Sequence, residues 1–320
     1  MILLFVTLLS ACARSKDPES KGQSGKLIVV ATLFPLYDFA RNIAGDRADV
    51  KLLLPPGAEP HSFEPRTSDM VMLNRADIFI YTNKFMEPWA EKLLKGIQSS
   101  RLSVVDASSG VRFVQGSIDG GEGAYLHQNR KPGQKEDHDE HKGQGSDPHI
   151  WLDFSNAQKM VDTIAGAIIA KDPANKDLYT KNAETYKARL ADLDKSYQKG
   201  LSNCSKKIFI NGGHFTFGYL AARYGLRYRA AYGFSPDAEP TARNLADISK
   251  TLRQEGLGHL FYEELLSPRI ADTIAKETGA TLLKLHGAHN ISKAEFDGNR
   301  TFIELMERNL DSLMTGLQCR

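Results

Sequence analysis

From Leu27 onward the chain keeps one rhythm: a short β-branched run, then a stretch with apolar residues three and four apart. Residues 27–33 (LIVVATL) read as a strand, followed by an amphipathic helix through Tyr37, Ala40 and Ile43. Residues 50–54, 78–81 and 102–105 are the next strands, with helices over 68–75 and 88–97 between them. Strands separated by helices of this length cannot pair as hairpins, so the pattern predicts βαβ units and a parallel sheet.

The rhythm breaks at residues 116–147, rich in Gly, Gln, Lys, Glu, Asp and His, which predicts a disordered loop. A helix is then expected to open at Ser155 and to end at Asp172-Pro173. Beyond it Leu178, Ala183, Tyr186, Leu190, Leu193, Tyr197 and Leu201 recur at helical steps. At ~1.5 Å per residue this helix is roughly 40 Å long. Strands at 207–211, 226–231, 259–262 and 281–285 follow, alternating with helices at 215–224, 242–255, 268–278 and 300–317. The expected architecture is α/β: two lobes (27–172 and 204–320), each a mostly parallel sheet flanked by helices, joined by a long rigid backbone helix (173–203).

The first twelve residues, MILLFVTLLSAC, are apolar but shorter than the ~20 a membrane-spanning helix needs, and have the length of a signal-peptide core. Leu9-Ser10-Ala11-Cys12 resembles the bacterial lipobox, which implies lipid on Cys12, and the polar stretch 13–26 reads as a tether. The expectation is an exported, extracytoplasmic protein anchored through Cys12. In that oxidising setting Cys204 and Cys319 remain as an even pair and a candidate disulfide. Lys+Arg 41 against Asp+Glu 39 leaves a net charge of +2, too little field to attract nucleic acid.

The histidines point to function. His61 follows the second strand through a turn, His214 follows KIFIN through Gly212-Gly213, and His286 follows TLLKL directly. His149, in DPHIWLD, stands just before a helix. In open α/β sheets ligands bind beyond the carboxyl ends of the strands, so these residues, two from each lobe, are expected to meet in the cleft. Four neutral imidazoles make a shell suited to tetrahedral Zn²⁺. Copper, nickel and iron also accept imidazole, whereas Mn²⁺ favours oxygen.

At these residues the chain resembles the zinc/manganese class of ABC-transporter substrate-binding proteins, the zinc-uptake (ZnuA-like) branch in particular. The matching stretches are Gly57-Ala58-Glu59-Pro60-His61, Asp147 to Asp153 (DPHIWLD) and His214 to Tyr219 (HFTFGY) with Tyr224-Gly225-Leu226. Pro236-Asp237-Ala238-Glu239-Pro240 and Ile270 to Ala280 (IADTIAKETGA) match as well. The resemblance implies one metal ion between two lobes, delivered to a membrane permease by a monomeric carrier. His61, His149 and His214 match the family's three histidine ligand positions, and a histidine at the third favours zinc over manganese. His286 is expected as the fourth ligand, with Glu59 or His289 as alternatives.

His127, His138 and His141, among carboxylates in the polar loop, are expected to recruit zinc weakly. Glu263 and Glu264 read first as partners of helix N-termini, and Asp153 as either a helix cap or a support for His149. Trp89 and Trp151 read as packing residues. Other function classes are a manganese carrier of the same family, a zinc hydrolase with Glu59 or Glu263 as base, and an adhesin with structural metal. No HExxH, phosphate-loop or CxxC motif is present, so the chain is not expected to be an enzyme.

Overall fold

The computed structural model describes residues 25–113, 115–117, 144–234 and 240–320. The first half runs β1 (Leu27–Ala31), α1 (Phe34–Ala44), β2 (Ala48–Leu52), α2 (Thr67–Arg75), β3 (Ile78–Tyr81), α3 (Ala90–Lys95) and β4 (Ser103–Asp106). Its strands form a parallel sheet in the order β2-β1-β3-β4. Two short strands, β5 (Gln115–Ser117) and β6 (Gln144–Ser146), pair antiparallel. They correct the expectation of an unstructured loop over 116–147 at its two ends only; residues 118–143 lie outside the described residues.

Next come α4 (Phe154–Lys171) and the 27-residue α5 (Lys176–Ser202). The second half runs β7 (Ile208–Asn211), α6 (Gly218–Arg223), β8 (Arg227–Ala230), α7 (Ala242–Gln254), β9 (His259–Glu263), α8 (Arg269–Thr278), β10 (Thr281–Leu285), α9 (Lys293–Asp297) and α10 (Phe302–Gly316). Its sheet, also parallel, has the order β10-β9-β7-β8. The two-lobed α/β architecture with a long linking helix is therefore present as expected.

Strand periodicity splits the core into layers. Val29, Ala31, Ile78 and Ile80 face a central cluster with α1, α4 and α5, while Val30 and Phe79 face an outer one with Leu73 and Leu93. In the second sheet Phe209 and Phe261 join that same central cluster, and Ile208 and Ile210 pack outward with Ile248 and Ile274. One continuous core thus runs through both lobes. Buried Asp38 pins it: its Oδ2 accepts the Tyr186 hydroxyl at 2.8 Å and the Phe302 N–H, at the start of α10, at 3.2 Å. A shared core of this kind favours local loop movement over wide lobe closure.

Two local features depart from the sequence reading. Ser155 does not cap α4; Asp153 does, one of the two roles expected of it, with its Oδ1 accepting the Ser155 N–H at 2.8 Å. The helix expected over 215–224 begins only at Gly218; ahead of it Phe215 N–H meets Gly233 O, and Thr216 N–H meets His214 O and the Tyr228 hydroxyl. Cys204 and Cys319 form a disulfide, and backbone bonds Lys206 N to Leu317 O and Arg320 N to Asn203 O run beside it.

Candidate metal centre

His61 lies on the loop between β2 and α2, His149 between β6 and α4, His214 three residues past β7, and His289 four past β10. One ligand atom from each lies within 4.8 Å of the others. The Nε2 atoms of His149 and His214 are 3.3 Å apart. A tetrahedral zinc with Zn–N of about 2.0–2.1 Å needs nitrogen–nitrogen edges of about 3.4 Å, so this edge already fits. The Nε2 atoms of His61 and His289 are buried with no protein partner, a costly arrangement unless something else meets them.

Carboxylates back three of the four rings. Asp147 Oδ1 lies 2.7 Å from His149 Nδ1, Glu263 Oε2 lies 2.7 Å from His214 Nδ1, and Glu264 Oε1 lies 3.7 Å from His289 Nδ1. Of these only Asp147 makes a hydrogen bond, which fixes the His149 ring through Nδ1 and leaves its Nε2 turned inward; Glu263 and Glu264 stand beside His214 and His289 as charged neighbours. Glu263 and Glu264 thus serve imidazoles, correcting the reading that assigned them to helix termini. Asp147, rather than Asp153, supports His149. The sequence carried a signal for Asp147, an acid two residues before a histidine, but none for the pairing of Glu263 with a residue 49 positions away.

His286 does not join the cluster. Its backbone is held by Asn309 of α10, which accepts the His286 N–H at 2.7 Å and donates to its carbonyl at 2.8 Å. Its Nδ1 sits 3.1 Å from Glu264 Oε1 and its Nε2 3.6 Å from Glu295 Oε2. Glu264 also accepts the N–H groups of Gly287 (2.8 Å) and Ala288 (3.1 Å), and Ala288 turns left-handed at φ 60°. That turn brings His289, not His286, to the other three histidines. Glu59 is also outside the group, and its Oε1 accepts the backbone N–H of His61 at 3.0 Å.

The loop that carries His289 is stitched to the other lobe. Asn290 donates to Pro55 O and Ala58 O, Gly57 N–H reaches Ile291 O, and Phe34 N–H reaches His289 O. Trp151 donates its indole N–H to Gly287 O at 2.8 Å, and Trp89 donates to Pro60 O at 3.1 Å. Both tryptophans therefore pack and also anchor a histidine loop. Gly287 must lack a side chain, because a Cβ there would meet the His289 ring, just as one at Gly213 would meet Glu263. Gly287→Ala is expected to displace the His289 imidazole and weaken zinc binding about ten- to hundredfold, the cost of disturbing a ligand's support. Calorimetric titration of the variant with zinc checks this.

Burial and the neighbouring imidazoles His214 and His289 press His61 down to about 2, and burial holds His149 well below the ordinary histidine value. His214 goes the other way: burial opposes its charge, but Glu263 outweighs it and raises the pKa. Burial lifts Asp147 to about 8. Cys12, His127, His138, His141 and the 236–239 part of the PDAEP stretch lie outside the described residues. Among the described residues no helix is long and apolar enough to cross a membrane.

Known proteins share both sequence and fold with the chain. It is 37% identical over 317 residues to the high-affinity zinc uptake system protein ZnuA of Bacillus subtilis, covering 97% of this chain and 94% of that one. It is 34% identical to the zinc-binding lipoprotein AdcA of Streptococcus pneumoniae over 97% of this chain, but spans only 58% of AdcA. The Zn(II)-bound ZnuA-like domain of S. pneumoniae AdcA superposes with a TM-score of 0.73 at 33% identity, covering 92% of this chain and 99% of that domain. The laminin-binding protein Lmb of Streptococcus agalactiae, described as a bifunctional adhesin and metal transporter, has a TM-score of 0.76 at 29% identity, covering 91% and 99%. The model of the periplasmic zinc-uptake complex component A matches residues 29–316, and the chain belongs to that family.

Proposed function

We propose that the chain captures Zn²⁺ outside the cytoplasm, holds it through His61, His149, His214 and His289, and delivers it to an ABC permease. The observation that carries this reading is the meeting of four histidines, two from each half of the fold, within 4.8 Å. An all-imidazole shell suits zinc and disfavours manganese, which prefers oxygen donors. A shell closed by four protein ligands leaves no position for a catalytic water, which favours a carrier over a hydrolase. The bases that a hydrolase would use are engaged elsewhere: Glu59 on the His61 N–H, Glu263 on His214 and on Asn211 Nδ2 at 2.7 Å. Zinc is the cargo here, not a resident cofactor.

The same reading takes the carrier as a monomer with lobes at 27–172 and 204–320 and a linking segment at 173–203. Lipid on Cys12 and the polar tether would keep it beside its permease, and His127, His138 and His141 would recruit zinc weakly. Offering zinc and manganese together to the metal-stripped chain tests the function. One zinc per chain with manganese excluded is expected; equal retention of manganese would contradict the reading.

Zinc binds neutral imidazole, so capture must expel any proton on the shell. His61 and His149 are already neutral, and the raised pKa of His214 makes it the proton that zinc displaces. Affinity should therefore weaken as pH falls, starting above the ordinary histidine value of 6.5. Zinc binding is expected to release protons, and more of them as pH falls, measured by calorimetry in buffers of different ionisation heat. An affinity that stays flat between about pH 7.5 and 5 would contradict a histidine shell.

A further inference from the structure

Arg223, the last residue of α6, makes contacts that reach back to both halves of the metal centre. Its Nε lies 2.7 Å from Asp194 Oδ1 and its Nη2 2.6 Å from Asp194 Oδ2, a two-pronged grip on the middle of α5. Its Nη1 reaches Asp153 Oδ1 at 2.9 Å. Asp153 is the N-cap of α4 and stands four residues past His149. Asp194 is held in turn by the Tyr224 hydroxyl at 2.7 Å and by Gln198 Nε2 at 3.1 Å.

The segments between this junction and the histidines are buried and packed. Ile150, Trp151 and Leu152 separate His149 from Asp153, and Phe215, Thr216 and Phe217 separate His214 from α6; all six have 0% exposure. Close-packed segments of this kind transmit displacement rather than absorb it. A planar guanidinium fork that binds one carboxylate with two parallel bonds also fixes orientation in a way a point charge cannot.

We propose that Arg223 is a positioning residue for the metal centre: by gripping Asp153 and Asp194 it sets the separation of His149 and His214, and with it the size of ion the shell accepts. The inference rests on the four-histidine reading and deepens it. It adds a determinant of selectivity that touches no ligand and carries no metal-binding group.

The test uses the full chain with Arg223→Met, Arg223→Lys and Asp153→Asn. The readouts are the visible spectrum of the Co²⁺ form, zinc release to a chelator, zinc against cadmium preference, and thermal unfolding of the metal-free chain. Arg223→Met is expected to release zinc about tenfold faster, the lower end of what support groups of metal ligands cost. Its cobalt bands should shift, and its preference should move toward the larger cadmium ion. Arg223→Lys should recover part of each effect, and Asp153→Asn, which keeps an oxygen to cap α4, should show a smaller shift in the same direction. Unchanged spectrum, release and preference in Arg223→Met would overturn the proposal, whatever happens to thermal stability. Should Arg223→Met not fold, unchanged readouts in both other variants would overturn it equally. His289→Ala runs in parallel: if it too leaves zinc binding intact the four-histidine reading fails, whereas loss of zinc there alone refutes only the role of Arg223.

Discussion

His289→Ala is expected to abolish tight zinc binding, while His286→Ala retains it. The two histidines sit three residues apart on one loop, yet they face different chemistry. His289 Nε2 is buried beside three other imidazoles with no protein partner, and in the proposed shell it is one ligand of four. Its removal leaves three ligands and a cavity, and the affinity loss should exceed the about ten- to hundredfold typical of an outer partner. Since Glu264 would still hold the N–H groups of Gly287 and Ala288, the loop should keep its path and stability should change little. Calorimetric titration with zinc, paired with urea unfolding of the metal-free chain, checks both halves of this expectation.

His286→Ala should instead cost stability. The His286 imidazole lies between Glu264 and Glu295, and Glu264 is buried. Removing the cation strands a buried carboxylate, an event worth roughly 3–5 kcal/mol when one partner of a buried pair is lost. Burial disfavours the His286 charge, but the two carboxylates outweigh it and lift the pKa from 6.5 to about 9. Glu264 is driven below the ordinary carboxylate value against its burial, and Glu295, facing the His286 imidazole, falls to about 2.

The linkage follows from those directions. The His286 contribution is complete below its ordinary value of 6.5 and disappears as pH rises through about 9. The carboxylate contribution is complete above 4.5 and disappears as pH falls toward about 2. The metal-free protein should therefore lose stability between pH 6.5 and 9. His286→Gln, which cannot titrate, should lack that loss. Thermal unfolding across this range, compared between the two proteins, is the measurement. An identical pH profile would mean that the triad contributes nothing.

How far the sequence could be read depends on the range of the interaction that decides each feature. The strand at Ile78–Tyr81 and the one at Thr281–Leu285 were legible to the residue, because aliphatic runs bounded by polar residues are local signals. The nearness of His61, His149 and His214 was legible in part, since each follows a strand or precedes a helix that the pattern marks, but the same signal also marked His286, which lies outside the group. The choice between His286 and His289 was not legible. It turns on a left-handed Ala288, on Asn309 in α10 and on Glu264 after β9, all brought together only by the fold.

Capping shows the same limit on a smaller scale. Ser155 and Asp153 are both good caps by type, and the backbone decides for Asp153, whose oxygen reaches Ser155 N–H. Helix α9 is too short to show in the sequence, because five residues carry too little periodicity, although Ser292 and Glu295 do form a capping box. The β5–β6 pairing is set by partners 27 to 31 residues apart in a stretch almost free of apolar residues, where strand patterning has nothing to act on.

Zinc-edge X-ray absorption of the zinc-loaded chain, beside its His286→Ala and His289→Ala variants, tests the four-histidine site most directly. The account predicts four nitrogen neighbours at about 2.0–2.1 Å with imidazole outer scattering, unchanged in His286→Ala and reduced to three in His289→Ala. A carboxylate oxygen in the wild-type shell, or a shell that survives His289→Ala and collapses in His286→Ala, would contradict it.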